Sequence, residues 1–71
     1  LGHTRSAILA SLDVPRSTTE LSQRHALAAS TVSHHLSVLL DAGMVIKVRR
    51  GAFVHYVRTG RGDTLATSRR A

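Results

Sequence analysis

Apolar residues recur along the chain first at helical and then at strand spacing, and the change falls near Gly43. Ile8, Leu9 and Leu12 share one face of a helix predicted over His3 to Leu12, which packs inward on that face. Asp13, Val14, Pro15 and Arg16 end it, because proline lacks the amide a helix needs and disfavours helical backbone in the residue before it. Ser17-Thr18-Thr19-Glu20 then has the form of a capping box, whose hydroxyl and carboxylate satisfy backbone amides that a first helical turn leaves unpaired. It opens a short second helix, predicted over Thr18 to His25. A third is predicted over Ala29 to Ala42. At 100° per residue it carries Val32, Leu36, Leu39, Leu40 and Gly43 on one side and Ser30, Ser33, His34, Ser37 and Asp41 on the other. Gly43 suits the left-handed residue with which helices end. Beyond it, Met44 to Arg49 and Phe53 to Arg58 are rich in β-branched and aromatic residues, and Arg50-Gly51-Ala52 supplies a turn between them. The expected fold is mainly α with a small β-hairpin: three helices plus a two-stranded wing.

A length of 71 residues makes one small domain with a thin core and no room for a large catalytic cleft. The boundary is expected at residues 1–59. Residues 60–71 turn to Gly, Arg, Ser and Thr, with Leu65 the one large apolar residue, and read as a basic flexible tail or the start of a further element. Within them Arg61-Gly62-Asp63 spells a cell-adhesion tripeptide, read here as coincidence. The chain starts at Leu1 with a helix close behind, as expected of a domain cut from a longer polypeptide. With no cysteine there is no disulfide and no thiolate for a metal. No apolar run approaches the roughly 18 residues of a membrane span, so the expected location is cytoplasmic, with no membrane partner.

Charge adds a direction. The net +6 is carried wholly by residues 47–71, where Lys47, Arg49, Arg50, Arg58, Arg61, Arg69 and Arg70 face only Asp63; residues 1–46 are neutral. A positive hairpin beside a helix with a slim polar face suits a polyanion. Ser30, Thr31, Ser33, His34 and Ser37 are short enough to let a helix backbone approach the floor of a DNA major groove. They also carry the hydrogen-bonding groups that base edges require. His34 can donate to guanine N7 or O6. An ordinary wet face carries Glu and Lys pairs, whereas between Ala26 and Ile46 the only charge is Asp41. His35, about 60° from Val32, is expected at the margin of the core, bonded to a backbone carbonyl or a phosphate. Thr18, His35, Lys47, Arg49 and Arg50 are the expected phosphate contacts, and the expected partner is double-stranded DNA.

Ala29-Ser30-Thr31-Val32-Ser33-His34-His35-Leu36, followed by Val38-Leu39-Leu40-Asp41-Ala42-Gly43-Met44-Val45, closely resembles the recognition helix of ArsR-type winged helix-turn-helix transcriptional regulators. The run Ser17 to Leu21 does so too, and the resemblance covers about Leu1 to Thr59. It implies a homodimeric repressor that binds an inverted repeat and leaves DNA when an effector, a small molecule or a metal, binds. It places base and backbone contacts on Ser30, Thr31, Ser33 and His34, and wing contacts on Arg49 and Arg50. Two features depart from the family. Ala28 stands where a serine often caps the third helix, which weakens its start by about 1 kcal/mol or moves the cap to Ser30. The cysteines by which many members sense metals are absent. Because dimerisation in the family often uses helices outside this core, the segment alone is compatible with a monomer.

Other classes fit less well. Ser33, His34 and Asp41 contain the letters of a nucleophile triad, but adjacent helix positions point about 100° apart and no oxyanion turn accompanies them, so no enzyme is expected. Among His3, His25, His34, His35 and His55 only two are close in sequence, and helix neighbours do not converge on one ion, so neither metal nor cofactor is expected. A winged-helix protein-interaction module is the alternative to DNA binding. It calls for large apolar anchors, and the outer face of the third helix offers only Val38. RNA binding needs an aromatic platform, and Phe53 and Tyr56 are expected on opposite wing faces.

Overall fold

The computed structural model describes residues 2–68. Leu1, Arg69, Arg70 and Ala71, on which part of the charge and tail expectations falls, lie outside the described residues. The described residues form α1 (His3–Ala10), a 3₁₀ turn (Ser11–Asp13), α2 (Thr18–His25), α3 (Ala29–Asp41), β1 (Val45–Arg50), β2 (Phe53–Arg58) and α4 (Gly60–Ser68). Ile8, Leu9 and Leu12 meet Leu21 of α2, Val32, Leu36 and Leu39 of α3, Val45 of β1 and Ala66 of α4 in one buried cluster. The predicted first helix gives way to 3₁₀ backbone at Ser11, and Leu12 has left helical geometry (φ −90°, ψ 31°) while staying buried.

The hairpin is antiparallel, with Val45 opposite Arg58 and Arg50 opposite Phe53. Gly51, at φ +60°, takes the first central position of the tight turn, where a side chain would be strained. Arg16, expected only to break the first helix, pairs with Tyr56 through two backbone bonds of 3.3 and 2.8 Å. It thereby covers part of the β2 edge. The Arg16 Nε also donates to the Ser11 carbonyl at 2.6 Å, tying the loop before α2 to the end of the 3₁₀ turn's first residue.

A fourth helix follows the expected three, over residues read from the sequence as a tail or the start of a further element. Thr59 starts it: the hydroxyl accepts from Gly62 N–H at 3.2 Å and donates to the Gly43 carbonyl at 2.7 Å. Two glycines make α4 a poor helix by propensity, so its contacts decide. A Cβ at Gly62 would overlap the Met44 carbonyl oxygen, Asp63 pairs with Arg58 at 2.9 Å, and Arg61 donates to the Ala42 carbonyl at 3.3 Å. The adhesion-like tripeptide is thus occupied in packing α4 onto the end of α3.

α2 is held at both ends. Ser17 Oγ accepts from Glu20 N–H at 3.1 Å and Glu20 Oε1 accepts from Ser17 N–H at 2.9 Å, completing the capping box. At the other end Leu27 N–H bonds the Ser22 carbonyl at 3.0 Å and Ala26 N–H the Gln23 carbonyl at 3.4 Å, a Schellman closure. Ala26 is left-handed there (φ 54°), a conformation that costs a residue with a Cβ roughly 1 kcal/mol. Ala26→Gly is therefore expected to stabilise the domain by about 0.5–1 kcal/mol, net of the extra freedom glycine gains when unfolded; urea titration reads it, and a lower midpoint contradicts it. The backbone bond from Ser17, ahead of the Ser17 hydroxyl and the charges of His55 and Arg16, holds the Glu20 carboxyl below the ordinary glutamate range. Its contribution is thus present above that range and lost as pH falls through the lowered value. Glu20→Gln should flatten the fall of Tm on acidification below the glutamate range, and an unchanged acid limb would show that the carboxylate contributes nothing.

Candidate nucleic-acid interface

α3 divides as its spacing predicts. Val32, Leu36 and Leu39 are fully buried, while Ser30, Thr31, Ser33, His34, Ser37 and Asp41 are exposed. Among the described residues none of the four hydroxyls on that outer face is hydrogen-bonded, so each keeps its donor and acceptor capacity. Val38 is half-buried, which removes the one sizeable apolar side chain expected on this surface. The helix starts after Ala28 with no side-chain cap, and the cap does not move to Ser30. Its first-turn amides are left without a side-chain acceptor.

His34 and His35 lean together across the helix surface, with ring centroids 5.6 Å apart and planes inclined at 59°. His35 is half-buried, as expected, and its bond within the protein is to a side chain rather than to the expected backbone carbonyl: Nδ1 accepts from Arg5 Nε of α1 at 3.2 Å. Burial, then the Arg5 cation and His34, push the His35 imidazole below its ordinary pKa. Arg5 was visible in the sequence only as a charge in a neutral half. Its signal was position: it stands three and four residues before Ile8 and Leu9, on the apolar face, where a guanidinium must find a partner at the core's edge.

The wing distributes its cations by strand alternation. Lys47 and Arg49 share a face with Val45, Val54, Tyr56 and Arg58, and Arg50 shares the other with Phe53 and His55. Lys47, Arg49 and Arg50 are exposed and make no ion pair among the described residues. Arg58 is committed to Asp63 by a charge contact not aligned as a hydrogen bond, and Arg61 to the end of α3. Among the described residues of the basic second half, the unpaired positive charge is therefore that of Lys47, Arg49 and Arg50 on the wing. Phe53 is 68% exposed and Tyr56 packs against the core, so the two rings form no common platform.

A cleft of about 570 Å³ separates Ser17–Glu20 from Ala52–His55 and brings Thr18, half-buried at the start of α2, to the wing. Across it His55 Nε2 lies 3.7 Å from Glu20 Oε1, while His55 Nδ1 is buried without a partner. This link was not anticipated, because nothing in the linear order connects a capping glutamate to a strand 35 positions on. His25 is engaged elsewhere, its Nε2 bonding Ser11 Oγ at 2.7 Å. Among the described residues no three His, Asp or Glu side chains gather where an ion could sit.

A sequence model described as a helix-turn-helix domain matches residues 3–48. No curated protein sequence matches the chain. Among solved structures, the multiple antibiotic-resistance repressor MarR of Listeria monocytogenes superposes with a TM-score of 0.90 at 18% identity, over 100% of this chain and 51% of its own. ZitR of Lactococcus lactis gives 0.92 at 16% identity, over 99% and 51%. At those identities the likeness is one of fold, and this chain spans about half the length of either protein. Reduced HlyU of Vibrio cholerae gives 0.82 at 30% identity, over 97% of this chain and 76% of its own.

Proposed function

The chain belongs to the helix-turn-helix domain family, and from that premise we propose that it is the DNA-binding domain of a transcriptional regulator, with α3 in the major groove and the wing on phosphates. The observation that carries this reading is the outer face of α3. It is a run of exposed, unbonded Ser and Thr hydroxyls with His34 among them, free of long charged side chains before Asp41. Ser30, Thr31, Ser33, His34 and Ser37 read base edges; Thr18, His35, Lys47, Arg49 and Arg50 hold the sugar-phosphate backbone. Thr18 and the wing border one cleft, which supports their acting on the same stretch of DNA. His35 reaches phosphate through Nε2, since Nδ1 is taken by Arg5. With Val38 half-buried, α3 presents no apolar anchor for a protein partner, which favours DNA over the interaction module.

Within that reading the protein is a repressor of the ArsR type that binds an inverted repeat as a homodimer in the intact polypeptide and acts in the cytoplasm, where its DNA lies. The resemblance of residues 17–45 supports the type, and the likeness in fold to the multiple antibiotic-resistance repressor MarR supports a repressing role. No helix among the described residues is long and apolar enough to cross a membrane.

Selection from random duplexes followed by sequencing tests the proposal: two half-sites one helical turn apart, in inverted orientation, are expected, and recovery of no common sequence refutes it. Arg50→Ala should weaken binding to selected and random duplexes alike and lower the salt slope by about one unit; loss on one sequence alone would assign Arg50 to base reading. His34→Ala should cost about 1–3 kcal/mol on the selected site and little on random DNA, measured by competition. Equal loss on both would reduce His34 to a backbone contact.

A further inference from the structure

A polar side chain of α1 reaches the edge of α3, at His35, next to the exposed face that carries His34. Arg5 stands on the inward stripe of α1 with Ile8 and Leu9, yet it is half-buried rather than sealed, and Nε donates to His35 Nδ1 across the α1–α3 contact at 3.2 Å. A ring nitrogen that accepts carries no proton, so His35 is held neutral with its hydrogen on Nε2. The His35 ring, fixed in that way, is the surface against which the exposed His34 ring rests, at 5.6 Å and 59°. Burial and the adjacent Arg5 charge, which push the His35 pKa down, act in the same sense as the hydrogen bond.

We propose that Arg5 is a positioning residue for base reading: by donating to His35 it fixes that ring's tautomer and orientation, and through it braces His34 on the face of α3 that meets DNA. The inference rests on the DNA-reading role given to α3 above. Its physical content is pre-organisation. An exposed histidine free to rotate loses rotamer freedom when it binds a base, whereas one already packed against a locked neighbour has lost much of it on folding. Arg5 also links the orientation of the reading face to the seating of α1. Displacement of α1 along α3 would release His35 and then His34 without unwinding α3.

The test uses Arg5→Met in the full-length protein, which keeps the apolar stem packed beside Ile8 and Leu9 and removes only the donor and charge. Imidazole ¹⁵N spectra of the free protein are expected to show His35 of the parent as the Nε2–H tautomer with Nδ1 unprotonated, and the variant as a mixture. Competition between the selected duplex and random DNA should then show discrimination reduced on the order of tenfold in Arg5→Met. His35→Ala should lose a similar factor, and the double variant no more than the larger single loss. Unfolding midpoints measured alongside separate this from loss of fold. An unchanged His35 tautomer, or additive losses in the double variant, overturns the proposal. So does an equal loss on both duplexes with a salt slope lower by one, which would make Arg5 a plain phosphate contact. If the parent protein itself shows no preference among duplexes, the DNA-reading role fails first and this inference with it, whereas a selective parent and an equally selective variant refute the positioning role alone.

Discussion

Everything in this domain hangs on the apolar stripe of α3. Val32, Leu36 and Leu39 are fully buried and meet α1, α2 and β1 in the same cluster, so the helix is the post around which the other elements are placed. In a domain this small each such side chain, worth about 1.5–3 kcal/mol on burial, is a large share of a marginal total. The same burial has a geometric consequence. A helix committed to the core along one stripe must turn the opposite stripe to solvent, so seating the core and presenting Ser30, Ser33, His34 and Ser37 are one event.

Around that post the polar bonds orient the accessory elements. The Arg16–Tyr56 backbone pair ties the segment entering α2 to the wing, and the Glu20 carboxylate that caps α2 also faces His55 across the cleft. The wing is thereby held to the segment entering α2 by a backbone pair and lies close to α2 itself at Glu20 and His55. Thr59 does the equivalent for α4, bonding Gly43 on one side and starting the helix on the other. The irregular joints of the chain are where its hydrogen bonds are spent on position.

Charge is partitioned by the same logic. Among the described residues the basic excess of the second half is shared between structure and surface: Arg58 and Arg61 secure α4, while Lys47, Arg49 and Arg50 remain in solvent on the wing. Arg5 lies outside that excess altogether. It bonds His35 of α3, although its charge is balanced within the neutral half of the sequence.

Local and periodic features were legible from the residues alone. The capping box at Ser17, the bounds of α2, the two faces of α3, the left-handed ending at Gly43 and the turn at Gly51 each depend on neighbours within a helical turn or a tight hairpin. That is the range over which residue type dictates backbone. What depended on distant partners was not. α4 has a glycine-rich sequence that by propensity reads as a tail, and it is helical because Gly62 lets its backbone sit on the Met44 carbonyl while Asp63 and Ala66 find Arg58 and the core. The bond from Arg5 to His35 spans 30 positions, and the approach of Glu20 to His55 spans 35. Such pairs exist only once the core has brought α1 to α3 and the wing to α2, so the sequence could name the residues that face outward, and only the tertiary structure decided which of them hold one another in place.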